Sequence, residues 1–356
     1  MIIEKLIKSF PYNLPREKKT AYFVKGMKEL TNFHKKKCKE YAKILNLFNS
    51  SRLNVMNLSD YPFLPTKIFK KFDLKSTSKN KIIKKLVSSG TTGQKPSKIY
   101  LDKENANNQM KVLNKIISTI LGNQRLPMLI IDRNPIIKDR STLNARAAAI
   151  YGFSIFGKNH TYLLNSKGKI DYNLLNDFLI KFGKQKFFIF GFTNMVLENL
   201  VNNFSSKLIK SDFENGILLH GGGWKKLEKL KISNRLFKKK LFKKIKLKNI
   251  YNYYGLVEQT GSIFIECKKC ENFVTSIFSD ILIRDEKFKL VKNGQRGLIQ
   301  LLSLLPTSYP GHNILTEDIG EITGEDNCKC GLKGKYFIVH GRIKKAEIRG
   351  CGNIND

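Results

Sequence analysis

Residues 88–98 read Ser-Ser-Gly-Thr-Thr-Gly-Gln-Lys-Pro-Ser-Lys, a stretch whose side chains suit the binding of phosphoryl groups. Gly90 and Gly93 allow positive φ and a close approach of main chain to ligand. Ser88, Ser89, Thr91 and Thr92 can donate hydroxyl hydrogen bonds, and Lys98 can set a compact positive charge against phosphoryl oxygens. The run at 82–87, Ile-Ile-Lys-Lys-Leu-Val, reads as a strand, which places the loop at a strand end where main-chain nests hold anions. The spacing is not that of a Walker A loop, and the composition alone is also that of an ordinary surface loop.

Two later stretches could take the rest of a nucleotide. Gly221, Gly222 and Gly223 follow Leu218-Leu219-His220, and the missing Cβ atoms would let a planar ligand lie against the main chain, or simply allow a tight turn. Residues 251–261 read Tyr-Asn-Tyr-Tyr-Gly-Leu-Val-Glu-Gln-Thr-Gly. Tyr253 and Tyr254 offer rings that can stack on a purine, Gly255 permits a turn, and Glu258 is a hard oxygen ligand suited to Mg²⁺. Cys267-x-x-Cys270 and Cys328-x-Cys330 are paired short spacings of the kind that hold tetrahedral Zn²⁺, with reduced thiols that merely pack as the alternative. Four thiolates would leave no open position, so such a zinc would be structural.

The elements that must carry these residues alternate. A strand before the loop at 88–98, a helix over 104–121, an apolar strand at 128–131, another at 186–190 with a helix over 194–201, and a strand at 216–220 predict an α/β fold with a covered, mostly parallel sheet. Ligands in such sheets bind at the carboxyl ends of strands, where the glycine turns fall. Residues 1–60 show helical periodicity in Tyr22, Met27, Leu30, Phe33, Tyr41, Ile44 and Leu45, and His34 with Cys38 reads as packing rather than as a metal pair. We expect a helical segment over 1–60, a catalytic body over 61–340 and a short tail over 341–356.

The chain has 356 residues with 41% hydrophobic content, enough for a large core. Its 65 Lys and Arg against 29 Asp and Glu give a formal charge of +36. The excess is spread along the whole length, and the one dense block, at 231–248, interleaves Leu, Phe and Ile at helical spacing. It reads as a solvated helix face, and no DNA or RNA partner is expected. No stretch approaches the ~20 apolar residues of a membrane span, and clustered cysteines in a long chain suggest a reducing, cytoplasmic setting.

The order of these motifs resembles that of the adenylate-forming enzymes, the superfamily of acyl-CoA synthetases, firefly-type luciferases and peptide-synthetase adenylation domains. Ser-Ser-Gly-Thr-Thr-Gly is similar to their phosphate loop, and Tyr254-Gly255-Leu256-Val257-Glu258 to their Tyr-Gly-x-Thr-Glu motif, with Val257 in place of the threonine. Thr316-Glu317-Asp318 resembles the segment whose aspartate holds the ribose hydroxyls of ATP, a fitting task for a carboxylate facing a vicinal diol. Gly341-Arg342-Ile343-Lys344 resembles the hinge motif, which implies a ribose or phosphate contact for Arg342 and the hinge position for Lys344.

Nearly end to end, the chain resembles the acyl-protein synthetases of the bacterial bioluminescence fatty-acid reductase complex, which are related to phenylacetate-CoA ligase-like proteins. Typical superfamily members continue beyond the hinge into a small mobile domain whose lysine assists adenylation, and this sequence ends at Asp356. The resemblance implies ATP and Mg²⁺, a fatty acid or similar carboxylate, transfer of the acyl group to a cysteine near the C-terminus, and a partner acyl reductase. By position, that cysteine is Cys351, set between Gly350 and Gly352. The alternatives are a ligase that transfers to CoA or a carrier-protein thiol, and a zinc-stabilised nucleic-acid-binding protein.

Overall fold

Apolar at nearly every position, the run Leu126–Arg133 forms a strand whose Met128, Leu129, Ile130 and Ile131 are fully buried, as a strand covered on both faces requires. It belongs to one of two units into which the chain divides: residues 116–255, and residues 1–115 with 256–356. The computed structural model describes residues 2–47, 57–88, 96–134, 142–143, 145–209, 211–222 and 232–343.

In the 116–255 unit five parallel strands lie in the order Gly157–Leu164, Leu126–Arg133, Phe187–Phe192, Gly216–Gly221 and Asn249–Tyr254. This is the mostly parallel, covered sheet of the expected α/β fold. The helices Tyr172–Phe182 and Asn234–Ile245 contribute Leu175, Phe178, Phe237 and Leu241 to the core under the sheet. Their starts are capped by Asp171 and Ser233, whose oxygens accept from the N–H groups of Leu174 and Leu236. The lysine-dense block thus forms a helix with an apolar face inward, as its spacing predicts. The helix expected over 194–201 is instead one α turn, Thr193–Val196, followed by a π turn, Leu197–Asn202. Hydrophobic spacing does not distinguish i→i+4 from i→i+5 bonding over so short a segment.

The other unit is mainly antiparallel. Strands Ser279–Arg284, Gly297–Ser303, Asn313–Glu325 and Lys335–Arg342 pair in sequence order, with Leu64–Pro65 running parallel to the third. A separate antiparallel hairpin joins Ile82–Val87 to Lys98–Asp102. The helix Arg16–Lys37 buries Phe23, Met27, Leu30 and His34, so the inward face is rotated slightly from the one expected from Tyr22 and Phe33. His34 packs as expected: its ring stacks on His312 at 4.9 Å and its nitrogens meet Ser76 Oγ at 2.7 Å and the Pro306 carbonyl at 3.1 Å.

Charge fastens this helix to the sheet. Lys19 Nζ, buried, donates to Thr275 Oγ1 at 2.8 Å and lies 3.7 Å from Asp280, which also meets Lys335 Nζ at 3.2 Å. Burial pushes the Lys19 amine down to about 8. Burial would raise the Asp280 carboxyl, but the two ammonium groups outweigh it and hold the group below the ordinary carboxylate range. Asp280→Ala leaves both cations without their shared anion and should destabilise the protein by about 3–5 kcal/mol. Urea unfolding at pH 7 measures this; a loss under about 1 kcal/mol would show that the lysines do not depend on Asp280.

Candidate nucleotide-binding site

The loop resembling a phosphate clasp is closed at its base by a pair of serines. Ser88 N donates to the Ser97 carbonyl at 3.1 Å, and Ser97 N donates to Ser88 Oγ at 2.8 Å. Ser88 and Ser97 continue the ladder of the hairpin, in which Val87 faces Lys98. Ser89, Gly90, Thr91, Thr92 and Gly93 lie outside the described residues. Lys98 opens the returning strand, and its Nζ lies 3.3 Å from Asp73 Oδ1, a partly exposed pair that sequence reasoning did not anticipate. Asp73 stands well before the motif in a stretch with no pattern of its own, so no local signal marked it.

Against this returning strand packs the short turn Val257–Gln259. It presents Glu258, whose side chain is almost wholly buried. Burial raises the Glu258 carboxyl above its usual 4.5; the Ser97 hydroxyl and the charges of Arg342 and Lys70 oppose that rise without cancelling it. The turn is held from behind, where Tyr309 Oη donates to the Glu258 carbonyl at 3.0 Å and Gln259 Nε2 donates to the carbonyls of Gly311 and Leu301. A buried carboxylate with a raised pKa gains from an arriving cation, which restores the solvation that burial removed. The residues therefore fit a single-carboxylate Mg²⁺ contact.

Asp318 and Arg342, far apart in sequence, face each other across paired strands. They are register partners between Asn313–Glu325 and Lys335–Arg342, and Arg342 Nε donates to Asp318 Oδ1 at 3.1 Å. The aspartate side chain is 9% exposed and the arginine 65%, so the carboxylate is fixed while the guanidinium reaches outward. Lys344 and Cys351 lie outside the described residues.

The turn that joins these two strands carries Cys328 and Cys330. Cys267, Cys270 and Cys328 place their sulfurs within 4.8 Å of one another, and Cys267 and Cys328 are 3.8 Å apart. Tetrahedral zinc with Zn–S bonds of about 2.3 Å separates its sulfurs by about 3.8 Å. Cys330 belongs to the same cluster, with Sγ 3.5 Å from Tyr336 Oη. The N–H groups of Lys269 and Cys330 point at the sulfurs of Cys267 and Cys328, at 3.3 and 3.5 Å, and Gly331 takes the positive φ of 79° that such a knuckle turn needs. The structure thus gathers three of the four expected sulfur ligands, Cys267, Cys270 and Cys328, and leaves Cys330 beside the group, facing Tyr336.

In the 116–255 unit, Gly221 ends its strand and Gly222 follows with φ of 81°. A Cβ at Gly221 would stand 2.6 Å from the Tyr253 ring, and one at Gly222 would stand 2.8 Å from Phe192. Tyr253 is stacked on Phe190 at 6.4 Å and packs on Phe153 at 5.1 Å, so this half-buried ring supports the glycine turn. Tyr254 closes the same strand, half-buried, and Gly255 follows it; Gly223 lies outside the described residues. Thr193 and His220, missed in the sequence reading, brace the turn: Thr193 Oγ1 meets His220 Nδ1 at 3.0 Å and donates to the Gly221 carbonyl at 3.1 Å. Burial drives the His220 imidazole down to about 3, so it is neutral.

The acyl-protein synthetase (LuxE) family model matches the chain over residues 1–356. The chain belongs to the LuxE acyl-protein synthetase family. Among curated proteins none matches it. Of solved structures, 2-hydroxyisobutyryl-CoA ligase in an open conformation aligns with a TM-score of 0.71 at 10% identity, over 94% of this chain and 72% of that one. The same ligase in its thioesterification state gives 0.68 at 12% identity, over 95% and 72%. The amide bond synthetase McbA from Marinactinospora thermotolerans gives 0.50 at 13%, over 75% and 50%. These likenesses establish the fold.

As a LuxE-family synthetase the chain is an ATP-dependent, AMP-forming ligase that acts on a carboxylic acid. No helix among the described residues is long and apolar enough to cross a membrane. The raised Glu258 pKa carries a stability consequence. Because the folded state holds this proton more firmly than the unfolded chain, the group's contribution is fully present below about pH 4.5 and is lost as pH rises through the raised folded value. Glu258→Gln should therefore melt higher than the wild type at pH 8, with the gap closing toward pH 4, while acid-dependent pyrophosphate exchange falls on the order of 100-fold. Calorimetric scans over pH check the first outcome; a mutant that melts lower at pH 8 would contradict it.

Proposed function

We propose that the chain activates a fatty acid, or a similar carboxylate, as its acyl-adenylate and passes the acyl group to Cys351 for delivery to a partner acyl reductase. The observation that carries this reading is the meeting of Asp318 with Arg342 in a chain whose whole length matches the LuxE family. A carboxylate fixed by an arginine, with that arginine still reaching outward, suits a ribose diol beside a phosphate. Among the fold relatives, the 2-hydroxyisobutyryl-CoA ligase structures hold 2-HIB-AMP and CoA, an acyl-adenylate and a thiol.

The chemistry balances in two displacements. A carboxylate oxygen of the acid attacks the α-phosphorus of ATP and pyrophosphate leaves. The Cys351 thiolate then attacks the acyl carbon, AMP leaves, and a thioester remains. In this reading Lys98 and the 88–98 segment serve the phosphates, Asp318 with Arg342 serves the ribose, and Gly221 and Gly222 are assigned to the nucleotide by the resemblance of their turn. Mg²⁺, held by Glu258, would offset charge developing on the phosphoryl oxygens. Cys351 has Lys345 and Arg349 close by in sequence, and such cations favour the thiolate over the thiol, whose reference pKa is about 8.5. The cysteine knuckle holds structural Zn²⁺ in this reading, and it closes the hairpin that aligns Asp318 with Arg342.

Two measurements test these assignments. Cys351→Ser should keep acid-dependent pyrophosphate exchange within about twofold of the wild type and abolish covalent acyl labelling of the protein, since forming the adenylate does not need the nucleophile. Labelling that persists in the mutant, or wild-type label that neutral hydroxylamine fails to release, would favour a ligase that hands its acyl group to CoA or to a carrier-protein thiol. Protein purified without chelator should contain one zinc per chain by elemental analysis, and Cys270→Ser should lose it together with several degrees of melting temperature. A metal-free wild type of unchanged stability would leave the cysteines as packed thiols.

A further inference from the structure

The parallel sheet of the 116–255 unit reverses its direction of winding at one place. From Leu126–Arg133 the chain crosses to one side to form Gly157–Leu164, then returns to the other side to form Phe187–Phe192 and the strands beyond. Where winding reverses, the two crossover connections diverge and open a crevice beyond the carboxyl ends of the central strands, the position at which open α/β sheets bind ligands. By that rule the crevice of this unit falls between the ends of Leu126–Arg133 and Phe187–Phe192.

A salt bridge stands there that the reading above does not use. Asp132, near the carboxyl end of Leu126–Arg133, is 4% exposed. Arg146, on the helix Ala145–Ser154, donates to it through Nε at 2.6 Å and Nη2 at 2.5 Å, a two-pronged contact, and its Nη2 also lies 3.9 Å from Met195 Sδ, just past the end of Phe187–Phe192. The arginine side chain is nevertheless 42% exposed. A guanidinium has five N–H donors; the fork engages two and the Met195 thioether faces a third, so a buried anion fixes the group while, among the described residues, donors remain for a ligand. Beyond Arg146 the helix continues with half-buried Ala147, Ala148 and Ala149, whose small side chains give an apolar surface with little bulk.

The strand register locates this group relative to the glycine turn. Ile130 faces Phe190, so Asp132 falls level with Phe192, and Phe192 faces Gly221. With strands about 4.8 Å apart, Asp132 and Gly221 are about 10 Å apart along one edge. A ligand anchored at Gly221 and Gly222 and one anchored at Arg146 would sit side by side on the same face of the unit.

We propose that Arg146, oriented by Asp132, binds the carboxylate of the acid substrate in the switch-point crevice, two strands from the nucleotide turn. This assignment rests on the reading of the chain as a carboxylate-activating ligase. Arg146 is the substrate contact and Asp132 is the positioning residue. The phosphates of ATP are the other anionic oxygens that such a group could meet, and the two sources separate kinetically.

In the full-length protein, Arg146→Gln should raise KM for the acid in pyrophosphate exchange by roughly 10- to 100-fold, the worth of a charge-assisted hydrogen bond, and leave KM for ATP within about twofold. Arg146→Lys should recover part of that loss, and Asp132→Asn should raise KM for the acid while Arg146 is still present. A second measurement needs no turnover and no variant: phenylglyoxal modification of wild-type protein, mapped by mass spectrometry, should be suppressed at Arg146 by dodecanoate without ATP and not by ATP alone. Suppression by ATP alone, or an unchanged KM for the acid in a variant that melts like the wild type, would overturn the proposal. Protection by dodecanoate in a protein that shows no exchange would keep this site and sink the ligase reading; exchange without protection would do the reverse.

Discussion

The antiparallel register between Asn313–Glu325 and Lys335–Arg342 is the constraint from which the site follows. Side chains alternate faces along a strand, so a slip of one residue would turn Arg342 away from Asp318. The register is irregular, shifting near Ile319 and again near Ile322, so the ladder by itself specifies it weakly. Two further contacts hold it. The cysteine knuckle closes the connecting turn, and Lys335 is tied at the start of the second strand to Asp280. Asp280 in turn holds Lys19 of the long N-terminal helix. A chain of local attachments thus runs from a helix near the N-terminus to the guanidinium of Arg342.

In each unit the candidate functional charges are ones whose solvation has been reduced. Glu258, Asp318 and Asp132 are all nearly buried, yet they differ in what compensates them. Asp318 and Asp132 each face an arginine within hydrogen-bond distance, whereas among the described residues Glu258 is met by the Ser97 hydroxyl, its own backbone N–H and the fields of Arg342 and Lys70. Direct pairing fixes the first two carboxylates in place. The third remains incompletely compensated, which gives an incoming cation something to gain.

Legibility in the sequence followed the range of the interactions involved. The parallel strands were readable because continuous apolar runs such as 128–131 and 187–190 have few other solutions, and the cysteine pairs were readable because ligand spacing within a turn is local. The Lys block resolved into a helix by the same periodicity. Asp318 and Arg342 were legible as separate motifs only through resemblance; that they touch depends on a hairpin whose bulges no pattern announces. Asp73, Asp132 and Arg146 carried no signal, since a single charged residue at the end of a strand or the start of a helix is too common to stand out. Tyr253 shows what residue type alone leaves out: the ring offered for stacking also packs against Phe190 and beneath Gly221.

That packing bears on how the two motifs can change over time. The Tyr253 ring and carbonyl fill the space that any side chain at Gly221 would need, with approaches of 2.6 and 2.7 Å to a hypothetical Cβ. A real Cβ essentially never comes so near a non-bonded carbon or oxygen, and the strand pairing between the two residues leaves neither backbone free to retreat. A substitution at 221 is therefore blocked by the ring and, whatever side chain stands at 253, by the carbonyl behind it, while a smaller residue at 253 opens a void under the turn. The first glycine of one motif is thus held by the backbone of the next: position 221 is expected to stay glycine across descendants of this sequence whatever aromatic or smaller residue comes to stand at 253.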